Sequence, residues 1–307
     1  MIFVNLLLLV LGFAMLIKGA DWFVDGTSGI ANKLGIPQLV IGLTIVAMGT
    51  SAPEAAVSIN AALKDNADIT IGNVLGSNIL NILIILGVTG AIVAVAIQKS
   101  TLLIEIPYML AVTIVLIIMG MTGNKISRVE GVIFIAMFIV YLIYLFILAK
   151  KGEQEEVKEE RGNLKLVISM IVGGVIVVWG SDVTVDSATA IAEVIGLSER
   201  FIGLTIVALG TSLPELVTSV TAAKKGNADI AIGNIVGSNI FNILFVIGIS
   251  SLIIPINFEP NFIIDSVIAV LAGVFLWVSV FKTKKLTRPW SIAMIISYAA
   301  YVVYLLV

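Results

Sequence analysis

Residues 41–83 read IGLTIVAMGTSAPEAAVSINAALKDNADITIGNVLGSNILNIL, and residues 202–244 read IGLTIVALGTSLPELVTSVTAAKKGNADIAIGNIVGSNIFNIL. Aligned without a gap at a constant offset of 161, 30 of the 43 positions are identical. The same offset joins Asp21 to Asp182 and Asp68 to Asp229. The chain therefore carries an internal duplication. A repeat kept for packing alone would preserve apolar shape and let polar residues drift. Here half of the identities are Gly, Ser, Thr, Asn, Glu and Pro, so the repeat is read as a functional one.

The composition says where the repeat sits. Of 307 residues, 59% are hydrophobic and only 12% charged, with a mean hydropathy of +1.14. Soluble domains carry about 25% charged residues. This excludes a soluble enzyme, a disordered chain and a nucleic-acid-binding domain, and predicts an all-α integral membrane protein. There is no Cys and no His, which removes disulfides, thiolate metal sites and the commonest proton relay. A membrane-spanning helix needs about 20 mostly apolar residues. Ten spans are expected, at 2–24, 38–63, 68–96, 101–121, 128–149, 165–189, 200–223, 229–255, 262–281 and 289–306. The first lacks the basic flank of a signal peptide.

Five spans separate each repeat position from its partner. Five is odd, so the second half is expected to sit upside down relative to the first. Residues 1–150 form one five-helix half, 151–164 a short acidic loop, and 165–307 the inverted second half. Inverted repeats of this kind bind substrate near the bilayer midplane, where the halves meet. Placing both termini outside puts 14 of the 18 Lys and Arg residues on the cytoplasmic side. The positive-inside rule favours that orientation, with the central loop cytoplasmic.

The polar residues of the repeat then lie inside the membrane. Gly49-Thr50-Ser51-Ala52-Pro53-Glu54 is mid-span, as is Gly210-Thr211-Ser212-Leu213-Pro214-Glu215. A charge there costs roughly 2.5–3.5 kcal/mol on insertion scales. Glu54 and Glu215 should therefore face the interior and have partners. No Lys or Arg lies mid-span, so the partner is expected to be a bound cation. Pro53 and Pro214 cannot donate to the carbonyls of Gly49 and Gly210, and the distortion loosens those of Ala47 and Ala208. Asn73, Ser77 and Asn81 share one helical face, as do Asn234, Ser238 and Asn242. Gly72, Gly76, Gly233 and Gly237 permit close helix approach. Every candidate ligand is oxygen, which suits a hard cation, Ca²⁺ or a few Na⁺, better than Mg²⁺.

Two ionised glutamates are neutralised by one Ca²⁺ or two Na⁺. An empty site would leave two bare carboxylates in a low-dielectric cavity, so the protein should change its facing only when loaded. That is obligatory antiport.

GTSAPE with GNVLGSNILN, and GTSLPE with GNIVGSNIFN, resemble the paired α-repeats of the Na⁺/Ca²⁺ exchanger family, in its compact prokaryotic form. The resemblance implies Na⁺ influx driving Ca²⁺ extrusion across the cell membrane, with four adjacent ion sites. It implies Glu54 and Glu215 as shared central ligands, and Thr50 and Thr211 with them at the Ca²⁺ site. Ser51 and Ser212 sit beside these. The carbonyls of Ala47 and Ala208, with Ser77 and Ser238, complete two outer Na⁺ sites, and Asn81 and Asn242 line the remaining central one. Relatives that depend on K⁺ include some with Asp at the position of Asn242; Asn here argues against that dependence. The first and sixth spans would slide, with Gly12, Gly19, Gly173, Gly174 and Gly180 giving them smooth surfaces. Asp21, Asp25, Asp182 and Asp186 are read as interfacial charges at the ends of those spans, and the Glu-rich stretch 153–160 as a solvated loop. No cofactor and no enzymatic activity are implied, and the chain is expected to work as a monomer in the bilayer with Ca²⁺ and Na⁺ as substrates.

Three rivals remain. A Ca²⁺/H⁺ antiporter of the same superfamily typically has a His beside its repeat glutamate, and this chain has none. A passive cation channel would need a continuous pore, usually ringed by symmetric subunits. A membrane scaffold leaves the buried acids unexplained.

Overall fold

The computed structural model describes residues 2–64, 67–150, 162–194 and 208–306. Its helices are α1 (Ile2–Leu34), α2 (Gln38–Thr50), α3 (Ala52–Leu63), α4 (Ile69–Ile92), α5 (Thr101–Met121), α6 (Arg128–Lys150) and α7 (Asn163–Val194). After these come α8 (Ala208–Gly210), α9 (Leu213–Lys224), α10 (Ala228–Ile253), α11 (Pro260–Phe281) and α12 (Arg288–Leu306). Among the described residues seven helices are long and apolar enough to cross a membrane, or eight if the bent pair α2–α3 counts as one span. The acidic stretch 153–160 and residues 200–207 of the expected seventh span lie outside the described residues.

The middle of the molecule is α4 and α10. Of their most apolar stretches, 72% and 94% of the residues are buried, against 17% in α1. A helix apolar on every side and enclosed by other helices is a core helix. The peripheral helices instead expose large apolar side chains, among them Phe3, Val10, Val129, Val140, Trp179 and Leu271, which is the surface a bilayer requires. Two more details place α10. A Cβ on Gly233 would lie 3.0 Å from the Gly42 Cα, and one on Gly237 would lie 2.8 Å from the Leu43 Cα. The glycines of this repeat let α10 meet α2 backbone to backbone.

Helix ends differ from the expectation where polar residues mislead a hydropathy reading. The first span was expected to stop at 24, yet α1 continues to Leu34. At about 1.5 Å per residue its 33 residues reach about 50 Å, well beyond the hydrocarbon core. The segment 25–34 is helical because its Gly, Ser and Thr residues pack inward, Gly26, Thr27, Ser28 and Gly29 all being buried. The helix ends at Gly35, whose φ of 64° is the left-handed stop. Likewise α7 runs to Val194 rather than 189. Asp21, Asp25, Asp182 and Asp186 are therefore inside long helices, not at their ends.

α1 lies along α7, and glycines line the contact. A Cβ on Gly12 would fall 2.9 Å from the Thr184 amide nitrogen, on Gly19 2.9 Å from that of Val177, and on Gly173 2.4 Å from that of Phe23. Gly180 faces Leu16 in the same way at 2.9 Å. Gly174 differs, lying beside the Phe23 ring.

The fold is not purely helical. β1 (Val95–Ala96) pairs antiparallel with β4 (Lys285–Leu286), and β2 (Lys125–Ile126) with β3 (Ile256–Asn257). The spans expected to reach 96 and 255 end as helices at Ile92 and Ile253, because the chain turns extended at Val93 and Ile254 to reach these ladders.

Candidate ion-binding site

The second expected span is broken at its GTS-x-PE motif. α2 and α3 meet at 51°, and the residue between them, Ser51, leaves the helical region with φ −83° and ψ 9°. Ser212 has the matching geometry, φ −96° and ψ 5°, ahead of α9. In both copies proline opens the new helix and glutamate falls in its first turn. The break thus places Glu54 and Glu215 at helix N-termini, where backbone N–H groups and the macrodipole favour negative charge. Both side chains are buried, 1% and 0% exposed.

The two halves hold each other's carboxylates. The Ser51 hydroxyl donates to Glu215 Oε1 at 2.8 Å, and the Ser212 hydroxyl to Glu54 Oε1 at 3.3 Å. Thr50 Oγ1 lies 2.9 Å from Asn234 Oδ1. Asn234 in turn donates to Ser219 Oγ at 2.9 Å, as Asn73 does to Ser58 Oγ at 2.9 Å. The Ser238 hydroxyl donates to the Ala47 carbonyl at 3.3 Å. Ser77 is buried on α4. Thr211 is half-buried. Ala208 opens α8 and its side chain lies outside the described residues.

Where α4 and α10 cross, asparagines clasp one another. Asn78 Nδ2 donates to the Asn239 carbonyl and Asn239 Nδ2 to the Asn78 carbonyl, both at 3.1 Å. Asn81 Nδ2 donates to Asn239 Oδ1 at 3.0 Å, and Asn242 Nδ2 to Asn78 Oδ1 at 3.2 Å. Asn78 and Asn239 escaped the sequence reading because they stand one residue off the Asn73-Ser77-Asn81 face. Their recurrence at the offset of 161 was the signal that could have found them. Asn81 and Asn242 each begin a π-helical turn, Asn81–Leu86 and Asn242–Ile247. Such wide turns recur at functional sites in helices.

Using their amides as donors orients the asparagines. Asn81 Oδ1 and Asn242 Oδ1 are left buried without a partner, as are Glu54 Oε2 and Glu215 Oε2. All four can accept hydrogen bonds, and they come as two pairs matched at the repeat offset. Burying unpartnered acceptors costs roughly 1–3 kcal/mol each. No hydrogen-bond donor from the protein reaches any of the four, and oxygens of these kinds are ligands for hard cations. Among the described residues no three acidic side chains gather in one place, so the site's carboxylate charge is that of Glu54 and Glu215.

One freed carbonyl has been taken up again. The Ser181 hydroxyl donates to the Gly210 carbonyl at 2.7 Å; the matching position in the first half is Ala20, which has no hydroxyl to offer Gly49. A cleft of about 580 Å³ reaches Gly49 and Ala52 from the side. Its lining includes the exposed Val175 and Trp179, and apart from Asp182 it is apolar.

A third buried acid was not expected. Glu105 is 0% exposed and accepts a hydrogen bond from the Tyr144 hydroxyl. It has no acidic counterpart 161 residues on, where Ser266 stands.

The family model for the sodium/calcium exchanger protein matches residues 4–147 and 165–307. The chain belongs to this family. It is 32% identical to the sodium/calcium exchanger MaX1 of Methanosarcina acetivorans, over 99% of both chains. It is 36% identical to the inner membrane protein YrbG of Escherichia coli over 82% of this chain and 81% of that one. Among solved structures, the sodium-calcium exchanger NCX_Mj soaked with 2.5 mM Na⁺ and 10 mM Sr²⁺ superposes with a TM-score of 0.87 at 30% identity, covering 99% of each chain. The exchanger family and the apolar helices together make this a multi-pass membrane protein.

Proposed function

We propose that this exchanger-family chain is a secondary antiporter that exchanges Na⁺ for Ca²⁺, with Na⁺ influx driving Ca²⁺ out of the cell. The observation that carries the reading is the set of four unpartnered, buried oxygens, Glu54 Oε2, Glu215 Oε2, Asn81 Oδ1 and Asn242 Oδ1. Oxygen donors with two carboxylates match Ca²⁺ or a small number of Na⁺. The names of MaX1 and NCX_Mj point to the same ions. Glu54 and Glu215 are the shared ligands. Thr50 and Thr211 contribute at the Ca²⁺ site, Ser51 and Ser212 orient the carboxylates across the halves, and Ala47, Ala208, Ser77 and Ser238 serve the outer Na⁺ sites. Asn81 and Asn242 line the central position.

The architecture we infer is ten spans in two inverted halves, 1–150 and 165–307, joined by a cytoplasmic loop at 151–164, with both termini outside. The cross-half pairings support it. Val95 pairs with Leu286 and Ile126 with Ile256; adding 161 to Val95 gives Ile256, and subtracting it from Leu286 gives Lys125, one residue from Ile126, so the two ladders correspond to within one residue. The serine–glutamate and asparagine contacts obey the same exchange. A twofold relation in the membrane plane accounts for these side-chain contacts and, to within one residue, for the ladders.

Alternating access follows from charge. With Ca²⁺ bound the two carboxylates are neutralised; with Na⁺ bound they are neutralised again. Emptied, the occluded site would hold two uncompensated charges, whose desolvation opposes the change of facing. Exchange is thereby coupled. The test is ⁴⁵Ca²⁺ binding to the purified protein. Na⁺ should displace Ca²⁺ with a steep, cooperative dependence, because more than one Na⁺ replaces each Ca²⁺. Displacement that is insensitive to Na⁺ but follows protons would move the chain to Ca²⁺/H⁺ exchange.

A further inference from the structure

At one end of the molecule a single lysine holds two aspartates of α1. Lys225, just past α9, places Nζ 2.7 Å from Asp25 Oδ1 and 3.3 Å from Asp21 Oδ1, and donates to the Asp21 carbonyl at 3.0 Å. Asp21 and Asp25 are four apart on one helical face, where two like charges repel unless a cation lies between them. All three residues recur at the repeat offset, Asp21 as Asp182, Asp25 as Asp186 and Lys225 as Lys64.

The second set is not joined. Asp182 and Asp186 are exposed on α7, and Lys64 is exposed just past α3. Among the described residues no ion pair links them. Helix packing differs in the same sense. α1 lies against α9, whereas the matching pair, α7 and α3, makes no comparable contact. Two sets of charges that are equivalent in sequence thus stand in opposite conditions, one closed and one open.

We propose that these are two alternating ionic latches for the transport cycle. Lys225 with Asp21 and Asp25 holds the access state seen here. Lys64 with Asp182 and Asp186 forms in the opposite state, when α1 and α7 have moved together past the rest of the bundle. The proposal rests on the alternating-access reading above. It adds the residues that set the balance between the two states, at a distance from the ion ligands. Because each latch is solvent-accessible, its effect on that balance is modest, about two- to fivefold.

The absence of native cysteine makes the test clean. One variant carries Asp21→Cys with Lys225→Cys, a second Asp182→Cys with Lys64→Cys, each treated in proteoliposomes with a short, reducible bis-thiosulfonate. Both pairs should cross-link, each cross-link should stop exchange, and reduction should restore it. Adding Lys225→Gln to the second variant should speed its cross-linking about two- to fivefold, and adding Lys64→Gln to the first should do the same there. Failure of the Asp182/Lys64 pair to cross-link while the Asp21/Lys225 pair does so would overturn the proposal. So would cross-linking rates that ignore the second lysine. If cross-linking behaves as expected but wild-type protein moves no Ca²⁺ against Na⁺, the latches stand and the assignment of ions falls.

Discussion

Replacing Glu54 by glutamine keeps the length and shape of the side chain and removes one of the site's two carboxylates. The Ser212 hydroxyl can still donate to its oxygen, as it does at 3.3 Å to Glu54 Oε1, so the local fold is preserved. What changes is charge. Ca²⁺ held by two carboxylates is neutral as a complex; held by one it leaves a unit of positive charge deep in the protein, where no other acid gathers among the described residues. A unit charge at membrane depth costs roughly 2.5–3.5 kcal/mol, and each 1.4 kcal/mol is tenfold in affinity. Half-saturating Ca²⁺ should therefore rise roughly 60- to 300-fold. The assay is isothermal titration of Ca²⁺ into detergent-purified protein, with thermal unfolding as the control for integrity. Glu54→Asp, which keeps the charge, should recover part of the loss. Glu215→Gln should match Glu54→Gln, because the two residues stand in equivalent places. A folded Glu54→Gln protein that binds Ca²⁺ within threefold of wild type would refute the charge argument.

Three further outcomes follow from the same geometry. Ser51→Ala removes the 2.8 Å bond to Glu215 and should weaken Ca²⁺ binding about tenfold, the scale of one hydrogen bond to a charged group; Ser212→Ala, whose bond is 3.3 Å, should weaken it less, and the reverse order in titrations would count against the cross-half roles. Gly173→Ala forces a Cβ to within 2.4 Å of the Phe23 amide nitrogen and should cost about 1–3 kcal/mol of stability, while slowing exchange more than it weakens binding, as flux and titration on one preparation will show. Glu105→Gln should leave exchange within about twofold of wild type, because its partner is Tyr144 and not the ion site; a large loss of flux with unchanged stability would mean that this acid also serves transport.

The duplicated motif singled out most of the candidate site from the sequence alone. Glu54, Glu215, Ser51, Ser212, Asn81 and Asn242 are all nominated by polar identity at one offset; the structure joins Ser51 to Glu215 and Ser212 to Glu54, where both helices break at matching points, and joins Asn81 to Asn239 and Asn242 to Asn78. The proline and the polar run marked those breaks. Other features left no comparable mark. The extension of α1 to Leu34 depends on small polar residues packing inward, which a hydropathy rule reads as the end of a span. The ladder of Val95 with Leu286 joins segments far apart in sequence, and two-residue strands have no periodicity to detect. The π-helical turns that begin at Asn81 and Asn242 have no signature in the hydropathy pattern. Glu105 stands near a span end, where an acid is ordinarily at the interface; only the placement of Tyr144 reveals it as buried.

The measurement that reaches the central claim most directly is ⁴⁵Ca²⁺ uptake into Na⁺-loaded proteoliposomes diluted into Na⁺-free buffer, with a proton ionophore present. The account predicts uptake that vanishes when external Na⁺ equals internal Na⁺ and that is absent from the Glu54→Gln protein. Uptake that ignores the Na⁺ gradient, and follows an imposed pH gradient once the ionophore is left out, would contradict it and make the two buried glutamates carriers of protons.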